Sequence, residues 1–450
     1  MSSKSNKLSM AEKLCYGSGD CAANVYVAMA STFLTGYYTD TVGLATLAVG
    51  TMMLVARVFD GVTDLAMGAI VDKTKSKYGK ARPWVLWTAP FMLIGLILLF
   101  SVPKSLYGTS GGLIYAYLSY IFMNCIVYTA NNLPFNALLS RMTLDVQDRA
   151  STASVRFIMT QFTTLIINAV TANLVTSIGW SALAVIYGVI EVILLLLCFI
   201  GCKEHIDEDE SGAVKLDDVP MKVAFPALLK NKYFYLQTLV FLTLYINTVA
   251  VGSCTYYFCN TVLGSIAIIT YTSMAQTIPA IIANFANPGL VARFGKRKVM
   301  LVACVLMIAG RLIVGLAGSS IPIVMVGILI CGFGMGPVMS GVFAMTADVV
   351  DYGEWKTGVR SEGLVNSCTS FGMKVGIGLG SAVATWILAF GGYDGTAAVQ
   401  SASAVAAIRF GFGYFGAILG AVLLVLLLLM NIDKNIKQIQ SDLEAKKQRA

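Results

Sequence analysis

Histidine is nearly absent from this chain: His205 is the one imidazole in 450 residues. That scarcity excludes His-rich metal centres, and the one imidazole lies in the charged stretch between spans. Charge is scarce too, with Asp, Glu, Lys and Arg together at 12%, about half the ~25% of soluble domains. The 10 cysteines fall singly along the chain, with no CxxC and no Cys/His zinc spacing, and they read as small apolar packing residues. No phosphate loop or catalytic motif stands out, so an enzyme is not expected and no cofactor is implied. A basic-aromatic groove is also lacking, so nucleic acid is excluded as a partner. No cleavable signal peptide is evident, because the first apolar segment is long, contains Asp20 and lacks a small-residue cleavage site.

What the chain has instead is apolar sequence. Hydrophobic residues make up 57% and the mean hydropathy is +0.75, the composition of an all-α integral membrane protein in which membrane lipid is the solvent. Twelve candidate spans lie near 12–38, 44–71, 83–102, 112–140, 151–176, 181–202, 233–261, 266–292, 299–317, 321–347, 363–390 and 405–431. Each is near or above the ~20 residues that a spanning helix needs. The basic residues sit on alternate sides: Lys73 to Arg82 follow span two, Arg141 and Arg149 follow span four, Arg293 to Lys298 follow span eight, and a Lys-rich tail ends the chain. The opposite side offers Lys104 alone. By the positive-inside rule both termini and the segment 203–232 are expected to be cytoplasmic, in a multi-pass protein of the inner cell membrane.

The charged stretch 203–232 divides the chain into an N-terminal six-helix bundle, 1–202, and a C-terminal one, 233–431, followed by a cytoplasmic tail, 432–450. A faint repeat supports the division. Span two ends in GAIVDKTKSKYGKARP and span eight in GLVARFGKRK. Two six-helix halves with a cytoplasmic linker are the layout of the major facilitator fold. The acidic run EHIDEDE within the linker reads as a flexible tether, and no regulatory partner is indicated.

The polar residues inside the spans are the chemistry. Arg57, Asp60 and Asp64 share one face of the second span by their i, i+3, i+7 spacing. An ionised carboxylate at membrane depth costs at least ~2.5 kcal/mol, so it must face a polar cavity, a partner or a cation. One arginine does not neutralise two carboxylates, which makes Asp60 and Asp64 a candidate cation site. Polar stripes four residues apart run along three other spans: Asn124, Tyr128, Asn132 and Asn136; Arg156, Thr160, Thr164 and Asn168; Asn366, Ser370 and Lys374. Asp20 and Asn24 do the same on the first span. Amides, hydroxyls and a few charges suit a polyhydroxyl ligand, although such residues also serve as interhelical hydrogen bonds.

The segments YGSGD (16–20), RVFDGVTDLAMGAIVDKTKSKYGKARPW (57–84), NNLPFNALLSRMTLD (131–145) and ADVVDYGEWKTGVRSEG (347–363), with Lys374, resemble the glycoside-pentoside-hexuronide:cation symporters, the melibiose permease-like branch of the major facilitator superfamily. The resemblance runs from the first span to the twelfth. It implies that Asp60 and Asp64 bind the coupling cation, Na+ or H+, with Thr129 and position 63, here Thr63, as further ligands. It implies that Asp20, Arg156 and Lys374 contact sugar or tie the two sites together, with Ser370 beside them and Asn24, Asn132 and Asn136 on the same lining. Arg57, Asp72, Arg141, Asp348, Asp351 and Arg360 fall to a structural or gating charge network. Melibiose permease has Asp and Trp where this chain has Asn132 and Asn136, and Asn where it has Thr63. That difference shifts the expected substrate toward xylosides, glucuronides or other glycosides.

The expected activity is therefore symport of a glycoside with Na+ or H+ by alternating access. A multidrug:proton antiporter, a sodium-coupled lysolipid carrier and a transporter-like sensor are the rival readings. A multidrug carrier would favour a larger aromatic and Met-lined cavity, and a sensor would usually carry an additional soluble domain.

Overall fold

The computed structural model describes residues 8–143, 145–204, 221–359, 362–397, 399–432, 436, 438–439 and 441–443. Helices dominate, and no strand occurs among the described residues. The first part of the chain forms α1 (Met10–Met29), α2 (Thr46–Lys73), α3 (Arg82–Phe100), α4 (Ser110–Tyr120), α5 (Thr129–Met142), α6 (Val146–Ile178) and α7 (Trp180–Gly201). The second part forms α8 (Met221–Leu229), α9 (Lys232–Tyr257), α10 (Ile268–Phe294), α11 (Lys296–Leu316), α12 (Ile321–Thr357), α13 (Glu362–Phe390), α14 (Ala402–Arg409) and α15 (Phe415–Leu429).

Among the described residues, ten helical stretches are long and apolar enough to cross a membrane. The first and eighth expected spans, at Met10–Met29 and Ile268–Phe294, are helical over comparable lengths but carry more polar residues. Several spans contain π-helical turns: Ala30–Leu34 and Tyr37–Thr41 after α1, Ile121–Tyr128 between α4 and α5, Phe258–Val262 after α9, and Phe410–Tyr414 between α14 and α15. Such turns insert a residue into the helical register and often mark functional positions.

Local sequence explains the ends. Ser9 caps α1 through a reciprocal pair with Glu12, its hydroxyl accepting from the Glu12 backbone N–H at 3.2 Å while its own N–H reaches the Glu12 carboxylate at 2.8 Å. Asp145 caps α6 by accepting from the Asp148 N–H at 2.9 Å. Gly295, at φ 87°, turns the chain between α10 and α11 in a conformation that only glycine adopts without strain.

The chain divides into two compact units. The first holds α1 to α7 together with residues 393–399, where the Tyr393 hydroxyl donates to Asp40 at 2.8 Å. Its helices pack α3 on α7 and α1 on both α6 and α7. The second unit pairs α11 with α12, α13 with α9 and α10 with α12. Its core includes Val240, Phe241, Cys304, Val342, Met345 and Leu423, all buried. At Gly376 the α13 backbone approaches α9 so closely that a Cβ would stand 2.8 Å from the Leu242 carbonyl oxygen, the small-residue contact by which membrane helices gain dispersion contacts.

Candidate functional site

The acids of α2 are built into the first unit. Asp60 is 5% exposed. Arg57 Nη1 donates to its Oδ2 at 3.4 Å, one helical turn away on the same face, and the Thr129 hydroxyl donates to its Oδ1 at 3.0 Å from α5. Thr63 directs its hydroxyl proton to the carbonyls of Phe59 and Asp60, at 3.2 and 3.1 Å, leaving its lone pairs outward. Asp64 is half-buried one turn beyond Asp60. The donors gathered at this place are carboxylate and hydroxyl oxygens, the hard ligands that suit a small cation.

Thr129 owes its position to the π-helical turn that precedes it. The turn breaks the four-residue stripe expected along the fourth span into two groups. Asn124, inside the turn, accepts from the Tyr26 hydroxyl at 3.1 Å, and its backbone carbonyl accepts from Thr129 at 3.5 Å. Asn132 and Asn136, beyond the turn, join a different network.

That second network centres on Asp20 and Arg156. The guanidinium holds the carboxylate in two-pronged fashion, Nε to Oδ2 at 2.8 Å and Nη2 to Oδ1 at 3.2 Å, while Thr160 donates to Oδ2 at 2.7 Å. Arg156 Nη1 also donates to the Asn136 amide oxygen at 2.8 Å, and Asn136 in turn donates to Asn132 at 2.8 Å. Asn24 donates to the Asp20 carbonyl at 2.9 Å. Tyr16 and Phe135, stacked with centroids 4.6 Å apart, form an aromatic floor under the guanidinium. Two-pronged pairing with supporting hydrogen bonds fixes both partners, and the Arg156 charge is matched by Asp20. Tyr128 lies between Asn124 and Asn132 in sequence, and its ring packs against that of Tyr26 with centroids 5.4 Å apart.

The remaining candidate residues are placed elsewhere. Ser370 is exposed and Lys374 half-buried, one turn apart on α13 in the second unit. In the same unit Asp348, buried on α12, accepts from Lys296 Nζ at 2.6 Å, and Asp351 follows three residues later on that helix. In the first unit Arg141 meets Glu204 at 3.9 Å. Arg360 lies outside the described residues, as does the side chain of Asp72.

Sequence reasoning passed over four features. Glu204, read as the start of a flexible tether, is anchored: its carboxylate accepts from the backbone N–H groups of Lys80, Ala81 and Arg82 at 3.1, 2.8 and 2.8 Å, capping α3. Cys198 and Cys202, one helical turn apart, bring their sulfurs to 4.0 Å, and Cys15, far from both in sequence, lies against the same turn at Gly201. Arg311, buried on α11, donates to the Phe412 carbonyl and the Gln276 amide oxygen at 3.5 and 3.3 Å. Glu191 is fully buried in the middle of α7. A single polar residue with no companion at helical spacing is the signal that would have found the last two.

A buried carboxylate with a half-buried one a turn away on one span, a neighbouring carboxylate-guanidinium network and apolar helices around them are the equipment of a membrane carrier. The family model described as MFS/sugar transport protein matches residues 15–434. The chain belongs to this family. It is thus a many-span membrane transporter and not an enzyme, with the major facilitator fold. Among its curated relatives, an isoprimeverose transporter of Lactiplantibacillus pentosus is 31% identical over 98% of this chain and 92% of its own length. A putative glycoside/cation symporter of Escherichia coli, YagG, is 30% identical over 97% of this chain and 95% of its own. Among solved structures, a bacterial homologue of the human lysosomal transporter Spinster aligns with a TM-score of 0.67 at 14% identity, covering 96% of this chain and 97% of that one, a likeness of fold alone.

Proposed function

We propose that this MFS sugar-transport family member is a secondary active transporter that moves a glycoside across the inner cell membrane in symport with Na+ or H+. The observation that carries the reading is Asp60, buried in a spanning helix and held by Arg57 and Thr129 with Asp64 one turn away. The names of the relatives, an isoprimeverose transporter and a putative glycoside/cation symporter, point the same way.

In this reading Asp60 and Asp64 take the cation, with Thr129 and Thr63 as oxygen donors. Two neighbouring carboxylates repel when both are ionised, and a bound cation relieves the repulsion. Asp20, Asn24, Asn132, Asn136 and Arg156 offer hydrogen bonds to the sugar, and Ser370 and Lys374 are the contribution of the other half. Asn136 and Arg156 couple the sugar to Asp20, and Tyr128 carries the influence onward to Asp60. Coupling of this kind is reciprocal: sugar raises cation affinity by the factor by which cation raises sugar affinity. Each charge carried inward adds ~2.3 kcal/mol per 100 mV of membrane potential. Transport proceeds by alternating access in a chain of two halves, 1–202 and 233–431; the linker 203–232 and both termini stay cytoplasmic, and Arg57, Asp72, Arg141, Asp348, Asp351 and Arg360 supply structural or gating charge.

The test is uptake by the purified protein in proteoliposomes, with labelled isoprimeverose, xylosides, glucuronides and galactosides, under an imposed Na+ or H+ gradient. Accumulation of one glycoside under one gradient is the expected result. Folded protein that accumulates none of them under either gradient overturns the reading.

A further inference from the structure

Glu191 has no place in that mechanism, yet among the described residues it is the carboxyl group that is buried with neither oxygen hydrogen-bonded. It is residue twelve of the 22 in Trp180–Gly201, so it lies roughly 15 Å from either end of α7 at 1.5 Å per residue. Neighbouring residues Val189, Ile190 and Ile193 are exposed on the apolar outer face, whereas Glu191 points inward and is 0% exposed. Neither carboxyl oxygen has a hydrogen-bond partner.

Its surroundings offer no countercharge. The helices packed on α7 are α3, α1 and α6. On α3 the one charged residue is Arg82, at its first position, where the guanidinium donates to the Phe199 carbonyl at 2.8 Å. On α1, Asp20 is held by Arg156 of α6, Lys13 by Asp148 of α6 at 2.9 Å, and Glu12 caps its own helix. Arg149, also on α6, donates to the carbonyls of Thr143 and Ser140. The other titratable groups along these faces are thiols and phenols: Cys15, Tyr16, Cys21 and Tyr26 on α1, and Tyr187, Cys198 and the adjoining Cys202 on or after α7. Tyr187 is engaged with the Thr171 hydroxyl at 2.9 Å. The one polar group of α1 beside the carboxyl is the Tyr26 backbone N–H, which belongs to the helical ladder of α1 and makes no hydrogen bond of good geometry with it.

An ionised carboxylate in such a place would be a buried charge without a partner, which proteins do not sustain. A metal cation is no remedy, because among the described residues no group of three His, Cys, Asp or Glu side chains that could hold one is gathered here. We propose that Glu191 is a proton-binding site, separate from the aspartate pair and occupied in the state described here. The bound proton is what lets α7 close on α1 at Tyr26. That contact reaches the cation site by a short route: the Tyr26 hydroxyl holds Asn124, the Asn124 carbonyl accepts from Thr129, and Thr129 holds Asp60. Loss of the proton requires water to enter between α1 and α7 and disturbs the order of that route. The inference is independent of which cation the aspartates take and of which sugar is carried.

The sign of the pH effect follows from linkage. The folded protein holds a proton that the unfolded, hydrated chain releases, so stability falls as pH rises, by up to ~tenfold in the unfolding equilibrium per pH unit over the window between the two titrations. The experiment is infrared spectroscopy and thermal unfolding of the full-length protein in lipid, for wild type, Glu191→Gln and Glu191→Leu. Wild type is expected to show the C=O stretch of a carboxylic acid without hydrogen bonds at neutral pH, shifted by heavy-carbon glutamate labelling and lost in Glu191→Gln. Its melting temperature should fall with rising pH more steeply than that of either variant. No glutamate-labelled acid band in the wild type, a reading that needs no variant to fold, overturns the proposal. So does a pH slope of melting shared by wild type and Glu191→Gln.

Discussion

Helix α1 meets its neighbours on two faces, and they treat acidic groups in opposite ways. Toward α6, Asp20 receives two bonds from Arg156 and one from Thr160, and the array continues through Asn136 to Asn132. Toward α7, Glu191 receives none. A carboxylate surrounded by matched donors keeps its charge at membrane depth, whereas one surrounded by hydrocarbon is tolerated when a proton removes the charge. One face is therefore suited to recognising a polar solute, and the other to being closed.

The comparison can be broken or sharpened by substitution. The largest effect is expected from Asp60→Cys or Asp64→Cys, which should abolish gradient-driven accumulation in proteoliposomes while the protein remains in the membrane; normal accumulation in both would remove the cation site from α2. Next comes Asp20→Asn, which leaves Arg156 without its carboxylate and should lower stability by ~1–3 kcal/mol, with uptake lost; thermal unfolding and transport assays together check it. Asn132→Asp combined with Asn136→Trp should change which glycoside is accumulated more than how much protein folds, and an unchanged profile across the sugar panel would separate those amides from specificity. Glu204→Ala removes the cap on α3 and should cost ~0.5–2 kcal/mol in thermal unfolding without altering sugar choice. The smallest effect on transport belongs to Glu191→Gln at neutral pH, because an uncharged amide replaces an uncharged acid; a large loss of uptake there would collapse the contrast between the two faces.

The spans and the on-helix arrangement of Arg57, Asp60 and Asp64 were legible in the sequence because both depend on local periodicity. The Asp20 to Arg156 contact joins residues 136 positions apart, and spacing holds no record of it; the resemblance to known symporters pointed to the two residues without their geometry. The stripe from Asn124 to Asn136 was read with a period of four, which fails because the π-helical turn Ile121–Tyr128 advances the register and sends Asn124 to Tyr26 and Asn136 to Arg156. Glu204 looked like part of a solvated acidic run, since nothing adjacent in sequence reveals that its partners are the backbone groups of residues 80–82. Glu191 escaped notice as one acid in a strongly apolar span, where a search for stripes finds nothing.

The Glu204 cap bears on the order in which the protein can be made. It draws the residue just past α7 onto the turn between α2 and α3, so the first unit is clasped by a contact that can form once residue 204 has emerged from the ribosome. From that moment the first unit can possess its clasp, the Asp20 to Arg156 pair and the contacts of Asp60, while most of the second has yet to be synthesised. Residues 393–399, with Tyr393 on Asp40, are the one part of that unit that must wait for nearly the whole chain to emerge.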